Sequence, residues 1–596
     1  MVEKEEKTQK KQGRFRHKEK QQEDKSPFIQ DLKIAFRNLE DTKKYYRSVL
    51  FPLIFLGVMF FATPFILEIA VPIPLEISPI NFVIGGIIPI LLGILYPYLT
   101  WKNKENDING KIHLFITHLR VLAISDYSLK DIINVIGGNP VYGALGEELK
   151  KVSVLTSQWR LPLAKSFRFI SQRTPSKILK DFLDRFSQSL VSGVDHREFI
   201  EHEQEAVLEE YKTIYESSNE NITIINEVYV SFLIAIIFVM ALGIVMPIII
   251  GGEDMTTFMY MSSFMLVFSE GMLLYLLKAM IPPDEIWKES GEKGDIDNEL
   301  IKSLRLSIIL CFAIGVIVFT AKYYLMLPYL QDIGFEILAA MTITPVIIPG
   351  FKAYLEEEKI SRKERNFLAF LPALGSISTM RGGKINESVY YLSEKDYGVL
   401  TRHIRDLYRR LRTRINDDAA WEWFGTDTGS NYIQRSSEMF RQATYAAANP
   451  RKVSTMIAEN IRKIRDLRYK KLAIIKTSTS LFAGITFGIA FAIYVSLIIA
   501  EHLNEILQQG MAGNPFEGTE IEIGRVLSAV PPEVFQMTFL IAFFVLVVHS
   551  FILSFTLKMM RGSHPYVTLL FFIPMVWIVA ITSVGVEIFI GGFLEV

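Results

Sequence analysis

The sequence predicts an all-α membrane protein that crosses the bilayer about nine times and carries two helical-bundle domains in the cytoplasm. Half of the 596 residues are hydrophobic, and the mean hydropathy is positive at +0.26. The hydrophobic residues are gathered into blocks of about 20, the length that a helix needs to cross a bilayer. Between these blocks lie two long polar stretches with helical periodicity, about residues 115–228 and 360–471. Together these features predict a polytopic helical protein.

Nine apolar spans follow one another along the chain. The sixth is the shortest and contains Pro345, which a membrane helix tolerates when its neighbours satisfy the freed carbonyl group. We retain this span because the strongly basic segment that follows would otherwise lie outside the cell. The predicted spans are Leu50–Val71, Ile80–Leu99, Val228–Ile250, Phe258–Met280, Leu306–Leu325, Phe335–Ile348, Leu472–Ala500, Val534–Leu557 and Tyr566–Ile590.

Lysine and arginine in the loops orient these spans, because such residues accumulate on the cytoplasmic side of a membrane. The basic N-terminal tail is therefore predicted to be cytoplasmic and the acidic C-terminus to be outside. Lys130 and Lys384 then lie inside, whereas Glu253 and Glu517 lie outside. Cysteine labelling of intact cells at these four positions tests the orientation.

The domain boundaries follow from the spans and from local composition. Residues 1–26 are rich in Lys, Glu and Gln and are predicted to be disordered, because they have little apolar surface to bury. The linker between the two halves contains two prolines and two glycines. The predicted segments are a basic cytoplasmic tail (1–49), transmembrane helices 1–2 (50–100), a first cytoplasmic domain (101–227), helices 3–4 (228–281), a linker (282–305), helices 5–6 (306–353), a second cytoplasmic domain (354–471), and helices 7–9 (472–596) with an acidic external loop (501–533).

The second cytoplasmic domain is strongly basic. Residues 360–471 contain about 22 Lys and Arg against about 12 Asp and Glu. Within 401–416 the apolar residues recur at helical spacing, which places four arginines on the opposite face. A second helix is predicted over 454–471 and continues into the seventh span. The apolar residues of the first helix are Ile404, Leu407, Tyr408, Leu411 and Ile415, and the arginines are Arg402, Arg405, Arg409 and Arg412.

The first cytoplasmic domain repeats this layout with the opposite charge. Its stretch 115–119 aligns with 370–374, and in both domains a long helix leads into the next span. A period of about 250 residues indicates a duplicated domain rather than a solenoid. The helix before the third span is acidic and contains Glu198, Glu201, Glu203, Glu205, Glu209, Glu210 and Glu216.

Several kinds of chemistry lack the residues that they require. There is no phosphate-binding Gly-x-x-x-x-Gly-Lys-[Ser/Thr] loop, and Gly382-Gly383-Lys384 is predicted to be an ordinary turn. The single cysteine, Cys311, excludes an intrachain disulfide and a site with paired cysteine ligands. Zinc-protease and serine-hydrolase motifs are absent. We therefore expect no catalysis, no cofactor and no metal, and we expect no nucleic-acid binding because no stacking-aromatic motif accompanies the bases.

Two ionisable residues fall well inside predicted spans, where a charge is costly and usually has a task. Glu270 lies in the fourth span and His549 in the eighth. We interpret both as polar contacts between packed helices, with an ion path as the alternative. Gly484 and Gly488 in the seventh span have the spacing that permits two helices to approach closely.

This layout resembles the type II secretion F-domain family, the inner-membrane platforms of type IV pilus, type II secretion and archaeal flagellum machines. The resemblance covers residues 109–250 and 360–500 with the surrounding spans. The number of spans and the opposite charges of the two domains are most similar to the archaeal flagellum branch. The segments 376–384 and 445–451 also resemble that branch, whereas bacterial platforms have about three spans.

The resemblance implies a platform without catalytic activity, beneath which a hexameric cytoplasmic secretion ATPase docks. It also implies that pilin-like subunits assemble on the platform, which is embedded in the lipid bilayer. A homodimer is left open by the sequence. The basic face of the second domain is the candidate docking surface, and its competing use is pairing with the acidic helix through Glu198, Glu201, Glu205 and Glu209. The candidate docking residues are Arg381, Lys384, Arg402, Arg405, Arg409, Arg412, Arg462, Arg465 and Arg468.

Two other functions remain open at this stage. One is a platform for an adhesive pilus or a type II secretion system. The other, of a different class, is a secondary transporter with cytoplasmic regulatory domains. Transporters also contain internal repeats, but their repeats are broken helices that meet at the membrane midplane. Because the repeat in this chain is carried by its polar domains, the platform is favoured.

Overall fold

A computed structural model of the chain describes residues 32, 34–36, 42–70, 79–250, 255–281, 284, 286–288, 295–325, 333–413, 416–512 and 530–594. Within these residues the regular structure is helical, with one isolated β-bridge between Trp287 and Ser430. The predicted all-α class is therefore confirmed. The predicted disordered tail 1–26, the linker glycines Gly291 and Gly294, and the labelling positions Glu253 and Glu517 lie outside the described residues.

The helices that pass through apolar sequence are long, and several continue far beyond the predicted spans. They are α1 (Phe51–Ala70), α2 (Pro79–Ala123), α7 (His196–Ile250), α8 (Met255–Met280), α9 (Asp295–Phe319), α10 (Phe335–Ile343), α11 (Ile347–Met380), α16 (Pro450–Ala512), α17 (Pro532–Arg561) and α18 (Val567–Leu594). Helices α7 and α16 cross the predicted boundary between membrane and cytoplasm without a break. Each cytoplasmic domain is thus continuous with a membrane helix.

Seven helical stretches of the described chain are long and apolar enough to cross a membrane. They correspond to the third through ninth predicted spans, and the sixth is the stretch Phe335–Met380, in which a 3₁₀ turn at Thr344–Val346 joins α10 to α11. The first two predicted spans form α1 and the first part of α2. A total of nine crossings stays a prediction.

Two boundaries differ from the expectation. Helix α9 begins at Asp295, so nearly half of the predicted linker 282–305 is helical. Helix α16 ends at Ala512, so the predicted external loop begins twelve residues later than residue 501. In α9 the helix begins in polar sequence before the apolar span, and in α16 it continues into polar sequence after the span, which hydropathy alone does not reveal.

The first cytoplasmic domain packs four shorter helices between the ends of α2 and α7. Ser128 and Ser176 cap two of them by accepting hydrogen bonds from the backbone N–H groups of Asp131 and Leu179. The shorter helices are α3 (Leu129–Gly138), α4 (Gly143–Ser157), α5 (Leu163–Ser171) and α6 (Lys177–Val191), with a 3₁₀ turn at Pro140–Tyr142 before α4.

The second cytoplasmic domain has the same order of elements between α11 and α16. Its shorter helices are α12 (Ile385–Ser393), α13 (Thr401–Arg412), α14 (Asp417–Thr428) and α15 (Asn431–Tyr445), with a 3₁₀ turn at Gly398–Leu400 before α13. The predicted helix over 401–416 therefore ends at Arg412, and Ile415 lies outside the described residues. A shared order of elements is what duplication of a domain leaves, and the duplication itself stays a prediction.

The two domains share a single hydrophobic core. Its buried residues run from Ile108 to Tyr215 in the first domain and from Phe367 to Leu467 in the second. Large aromatic side chains fill the centre of both parts, among them Phe182 and Phe440. Because the core is continuous, the two polar helical domains, predicted to be cytoplasmic, pack as one unit.

Polar contacts also cross from one domain to the other. The buried ring of His118 lies 2.7 Å from the Tyr142 hydroxyl and 2.9 Å from the Gln442 side-chain oxygen. The Asp126 N–H donates to the Ala446 carbonyl at 3.0 Å. Burial lowers the pKa of His118 to about 4, although its hydrogen bond to Gln442 opposes this shift. This histidine is therefore neutral at physiological pH.

The outward faces of the apolar helices are uncovered. On α9, Ile309, Phe312 and Phe319 are exposed, whereas about half of the most apolar stretch of α17 and of α18 is buried against other helices. A helix whose exposed side chains are apolar is suited to lipid contact. The chain is therefore a multi-pass membrane protein in which α9 lies at the periphery.

Candidate functional site

The arginine face of α13 is exposed, as the periodicity predicts. Ile404, Leu407 and Leu411 point into the shared core, and Tyr408 is half-buried. The four arginines of the opposite face are exposed, namely Arg402, Arg405, Arg409 and Arg412. The predicted separation of an apolar stripe from a basic face is confirmed.

The contacts of these arginines stay within their own domain. Asp406 on the same helix lies 3.0 Å from Arg409 and 3.9 Å from Arg402. The Arg405 side chain donates to the Ser393 carbonyl at 3.3 Å. These are exposed ion pairs and a capping contact, which restrain the side chains weakly and leave their charges available.

Arg381 and Lys384 lie in the turn between α11 and α12. Both contact Glu387, at 3.4 and 3.1 Å, and the Arg381 guanidinium stacks over Tyr391 at 3.7 Å. Gly382 and Gly383 have φ values of +65° and +86°, a backbone conformation that favours glycine. The segment is a turn, as predicted from the sequence.

The bases of α16 divide into two groups. Arg462 is exposed, and Arg465 is half-buried with Asp466 3.9 Å away. Arg468 is different, because its side chain is only 13% exposed and contacts Asp284 of the linker. Arg468 was predicted to belong to the docking surface, but its side chain is turned inward and its charge is paired with Asp284, so we leave it out of the surface proposed below.

Asp284 and Arg468 form the centre of a buried polar cluster that we call the linker junction. The Arg468 Nε atom lies 2.9 Å from both Asp284 carboxylate oxygens, and Nη2 lies 2.5 Å from Oδ1. The Tyr215 hydroxyl donates to Asp284 at 3.1 Å. Glu364 lies 3.6 Å from the guanidinium, which also stacks over Tyr432 at 4.1 Å.

The electrostatics of the linker junction favour an ionised Asp284. Burial by itself would raise the pKa of this carboxyl group, but the Arg468 guanidinium and its hydrogen bonds hold the pKa well below the usual value. Burial raises the pKa of the neighbouring Glu364. The ion pair of Asp284 and Arg468 thus joins the linker to α16, and its contacts with Tyr215, Glu364 and Tyr432 add α7, α11 and α15.

A second anchor of the linker lies beside the turn between α17 and α18. The buried Glu357 carboxylate accepts hydrogen bonds from Trp287 Nε1 at 3.0 Å, Ser563 Oγ at 3.0 Å and the His564 N–H at 2.8 Å. Arg561 lies 3.5 Å away. The segment predicted to be a simple connector is therefore fixed to both the second domain and the last membrane hairpin.

Sequence reasoning missed both anchors. Asp284 is followed by another acidic residue and Glu357 is the middle one of three consecutive glutamates, so neither stands out in the sequence, and their arginine partners are 184 and 204 positions away. No spacing rule connects residues at such separations. The only signal was the pair of prolines before Asp284, which indicates a fixed chain direction but not a partner.

The acidic face of α7 is mostly exposed. Glu198 and Glu205 are open to solvent, while Glu201 contacts Arg120 at 2.8 Å and Glu209 contacts Lys212 at 3.1 Å. These are contacts within the first domain. One ion pair between the two domains is formed by Glu216 and Lys470, which lie 2.8 Å apart where α7 packs beside α16. Neither residue belongs to the predicted pairing of the acidic face with the arginine face, which stays a prediction.

Glu270 and His549 meet inside the membrane region. Both side chains are fully buried, and the Glu270 Oε1 atom contacts the His549 Nδ1 atom. The Tyr229 hydroxyl donates to the same carboxylate oxygen at 3.3 Å, and Thr486 lies 3.4 Å from the other ring nitrogen. The contact joins four helices, which agrees with the interpretation as a polar packing contact.

The small-residue contact predicted in the seventh span is not formed. A Cβ atom added at Gly484 or Gly488 would have no heavy atom within 4 Å. A close approach of helices occurs instead at Gly350 of α11, where an added Cβ atom would lie 2.6 Å from the Leu570 nitrogen of α18. Among the described residues, no group of three or more potential metal ligands is present.

Comparison with known proteins gives consistent matches. Residues 115–244 match the family model of the type II secretion system protein F. The chain is 33% identical over 512 residues to flagella accessory protein J of Methanococcus voltae, covering 85% of this chain and 90% of that protein. It is 32% identical over 514 residues to flagella accessory protein J of Methanocaldococcus jannaschii, covering 86% and 90%.

A third relative, an uncharacterized protein of Methanocaldococcus jannaschii, is 24% identical over 143 residues, which is 24% of either chain. No solved structure is significantly similar. The two long matches extend over both cytoplasmic domains and most membrane helices. The chain therefore belongs to the archaellum membrane platform family, the flagella accessory protein J branch of the type II secretion F-domain proteins.

Proposed function

We propose that this platform docks a hexameric cytoplasmic secretion ATPase on the arginine face of α13 and passes the motion of the ATPase to the membrane helices. Pilin-like subunits would be added to the filament, or the filament turned, at the membrane end. The observation that supports docking most directly is the row of exposed arginines on a helix whose other face is anchored in the core. Complementary charge gives such an interface orientation and rapid association.

The proposed surface also includes Arg381, Lys384, Arg462 and Arg465, which are accessible to different degrees, and excludes Arg468. The continuous core supports transmission of motion, because a packed interior shifts as a unit. Helix α16 supports it as well, since it carries the basic region directly into the seventh span. The proposed orientation places this region and the N-terminus in the cytoplasm and the C-terminus outside.

We also propose that the chain has no catalytic activity of its own. The lack of a phosphate-binding loop supports this, and the matched relatives bear the name of an accessory protein. Purified full-length protein is expected to show no ATP turnover. A rate that persists after contaminating ATPases have been removed would contradict the proposal.

The docking proposal is tested by reversing charges on α13. We expect Arg402→Glu, Arg405→Glu and Arg409→Glu together to abolish binding of the purified ATPase and to stop filament assembly, while membrane insertion is retained. Wild-type binding should weaken as salt rises, because exposed charges are screened beyond about 8 Å at physiological ionic strength. Binding of the ATPase to detergent-solubilised full-length protein provides the measurement.

A matched control changes the same amount of charge on the first domain. Lys130, Lys177 and Lys180 are exposed, and their replacement by Glu should leave ATPase binding intact. Normal ATPase binding by the α13 variant would overturn the docking proposal. If that variant instead lost only its self-association, the arginine face would pair with the acidic face of a second copy.

The names of the matched relatives favour an archaeal flagellum over an adhesive pilus or a secretion system. Deletion of the gene should then remove swimming and the filament together. A strain that keeps its flagella but loses surface adhesion would favour the pilus platform.

A further inference from the structure

The segment that joins α4 to α5, together with α5, forms a basic and aromatic surface on the first domain. Residues 157–173 contain no Asp or Glu. Trp159 is 70% exposed and Phe169 is 41% exposed. We call this region the α4–α5 surface, and its exposed bases are Arg160, Lys165, Arg168 and Arg173.

The course of α4 carries this surface toward the membrane. The Ala144 N–H donates to Asp107 of α2 at 2.7 Å, and Glu148 lies 3.0 Å from Lys104 of α2. Helix α4 therefore runs antiparallel to α2, and its C-terminal end points toward the predicted second span at 80–99. The two helices run side by side in opposite directions.

The rise per residue of an α-helix shows how far α4 extends along α2. Nine residues separate Glu148 from the end of α4 at Ser157, which is about 14 Å, whereas the five residues from Lys104 to Leu99 span about 8 Å. The end of α4 therefore reaches the cytoplasmic end of the second predicted span. Trp159 follows two residues later, close to this end of the predicted span.

A groove lies beside this surface and agrees with the register of α4 along α2. It has a volume of about 1200 Å³, and it is lined by residues of both α2 and the α4–α5 region. Tyr96 and Pro97 line one wall, and Trp159 and Phe169 line another. Residues at the end of the predicted span and the exposed tryptophan therefore face the same space.

The charge of the groove favours an anion. Its lining includes Lys104, Lys150, Lys151 and Arg173 against the two carboxylates of Glu147 and Glu148. Glu148 forms ion pairs with Lys104 at 3.0 Å and Lys151 at 3.2 Å, so its negative charge is neutralised by groove residues. Above the groove, the exposed face of α5 adds bases without any acid.

We propose that the α4–α5 surface lies on the cytoplasmic leaflet and that its groove receives the headgroup of an anionic phospholipid. Tryptophan and tyrosine are suited to the membrane–water interface, where one end of the ring is apolar and the other is wet. Lysine and arginine near an anionic leaflet are attracted to its surface charge. The first domain then has a lipid contact in addition to its transmembrane helices, and this contact does not depend on ATPase docking.

The test uses full-length protein in vesicles, with a fluorescent label at position 159. Cys311, the only cysteine, is replaced by Ala, and Trp159→Cys carries a bimane group. Phospholipids with a nitroxide on the headgroup quench a bimane that touches the leaflet. Quenching is expected to be several-fold stronger in phosphatidylcholine vesicles that contain phosphatidylglycerol than in phosphatidylcholine alone, and to decline as salt rises.

Charge reversal separates the basic surface from general proximity to the bilayer. Arg160→Glu, Lys165→Glu and Arg168→Glu together should remove the response to phosphatidylglycerol. A control variant with Lys177→Glu and Lys180→Glu should retain it, because Ser176 at the start of α6 contacts Asn109, farther from the span. Equal quenching in the two kinds of vesicle, or an unchanged response in the reversal variant, would overturn the proposal.

The same label distinguishes other occupants of the groove. Ala35 of this chain also lines it, so the N-terminal segment is the nearest alternative. If a water-soluble quencher reaches position 159 only after residues 1–41 are deleted, the tail covers the surface and the lipid proposal fails. A label that becomes protected as protein concentration rises in detergent would instead indicate a second copy, which also overturns it.

Discussion

Replacing Asp284 with Asn tests whether the linker junction stabilises the cytoplasmic region. The Asp284 and Arg468 side chains are 9% and 13% exposed, so water screens their attraction little. Removing one partner of a buried ion pair costs about 3–5 kcal/mol. Because Glu364 lies 3.6 Å from the same guanidinium and keeps part of the attraction, we expect the Asp284→Asn cost to be about 3 kcal/mol.

Replacing Arg468 with Met should cost more, because it strands two buried carboxylates, and we expect about 5 kcal/mol. Each kcal/mol of destabilisation lowers the melting temperature by about 2–4 °C. We therefore expect a decrease of about 6–12 °C for Asp284→Asn and of more than about 10 °C for Arg468→Met. Thermal unfolding of the detergent-solubilised protein, followed by tryptophan fluorescence, measures both shifts.

Asp406→Asn is the matched control. Asp406 also contacts an arginine, Arg409, but that arginine side chain is 72% exposed, so the pair should contribute less than about 1 kcal/mol. The reasoning is refuted if Asp284→Asn melts at the same temperature as Asp406→Asn. It is also refuted if Asp284→Asn is the more damaging of the two junction substitutions.

Three further predictions concern other buried positions. The pKa of His118 is about 4 in the folded state, below the unfolded value of about 6.5. The unfolded state therefore binds a proton first, and the free energy of unfolding falls as the pH drops from about 6.5 to about 4. His118→Gln removes this titration, so between pH 7 and pH 5 the variant should lose less stability than wild type. Gly350→Val should lower the melting temperature strongly, because its side chain would meet the α18 backbone, whereas Gly484→Val should be tolerated; equal shifts would contradict the packing. Glu270→Leu or His549→Leu alone should destabilise more than both together, since a single change strands a buried polar partner; a double variant equal to the sum of the single ones would show that the two residues act independently.

Much of the fold was predictable because hydropathy and helical periodicity act locally. The apolar stripe of α13 follows from four residues within eight positions, and seven predicted spans correspond to long apolar helices. Helix ends were less predictable, since α9 and α16 continue through polar sequence. The core shared by the two domains could not be predicted either, because periodicity shows which face of a helix is buried but not which helix covers it.

The candidate site divides in the same way. The exposure of Arg402 and Arg409 follows from their position opposite the apolar stripe, and the sequence is sufficient to predict it. The burial of Arg468 depends on Asp284, which is 184 residues away and belongs to a different segment. Arg468 and the exposed Arg462 lie on one helix and are chemically identical, so only the three-dimensional partner distinguishes a structural arginine from an available one.

The uninterrupted course of α16 fixes the rotational phase between the cytoplasmic and membrane regions. Its 63 residues extend about 95 Å, and each residue turns the helix by about 100°. Insertion of one residue near Tyr469 would therefore rotate the arginine-bearing region by a quarter turn relative to the membrane helices, whereas insertion of seven would shift the phase by only about 20°. Helix α7 imposes a second phase of the same kind, because it also runs from the first domain into the membrane region without a break. The number of residues in these two helices therefore sets how the docking face is turned relative to the membrane helices.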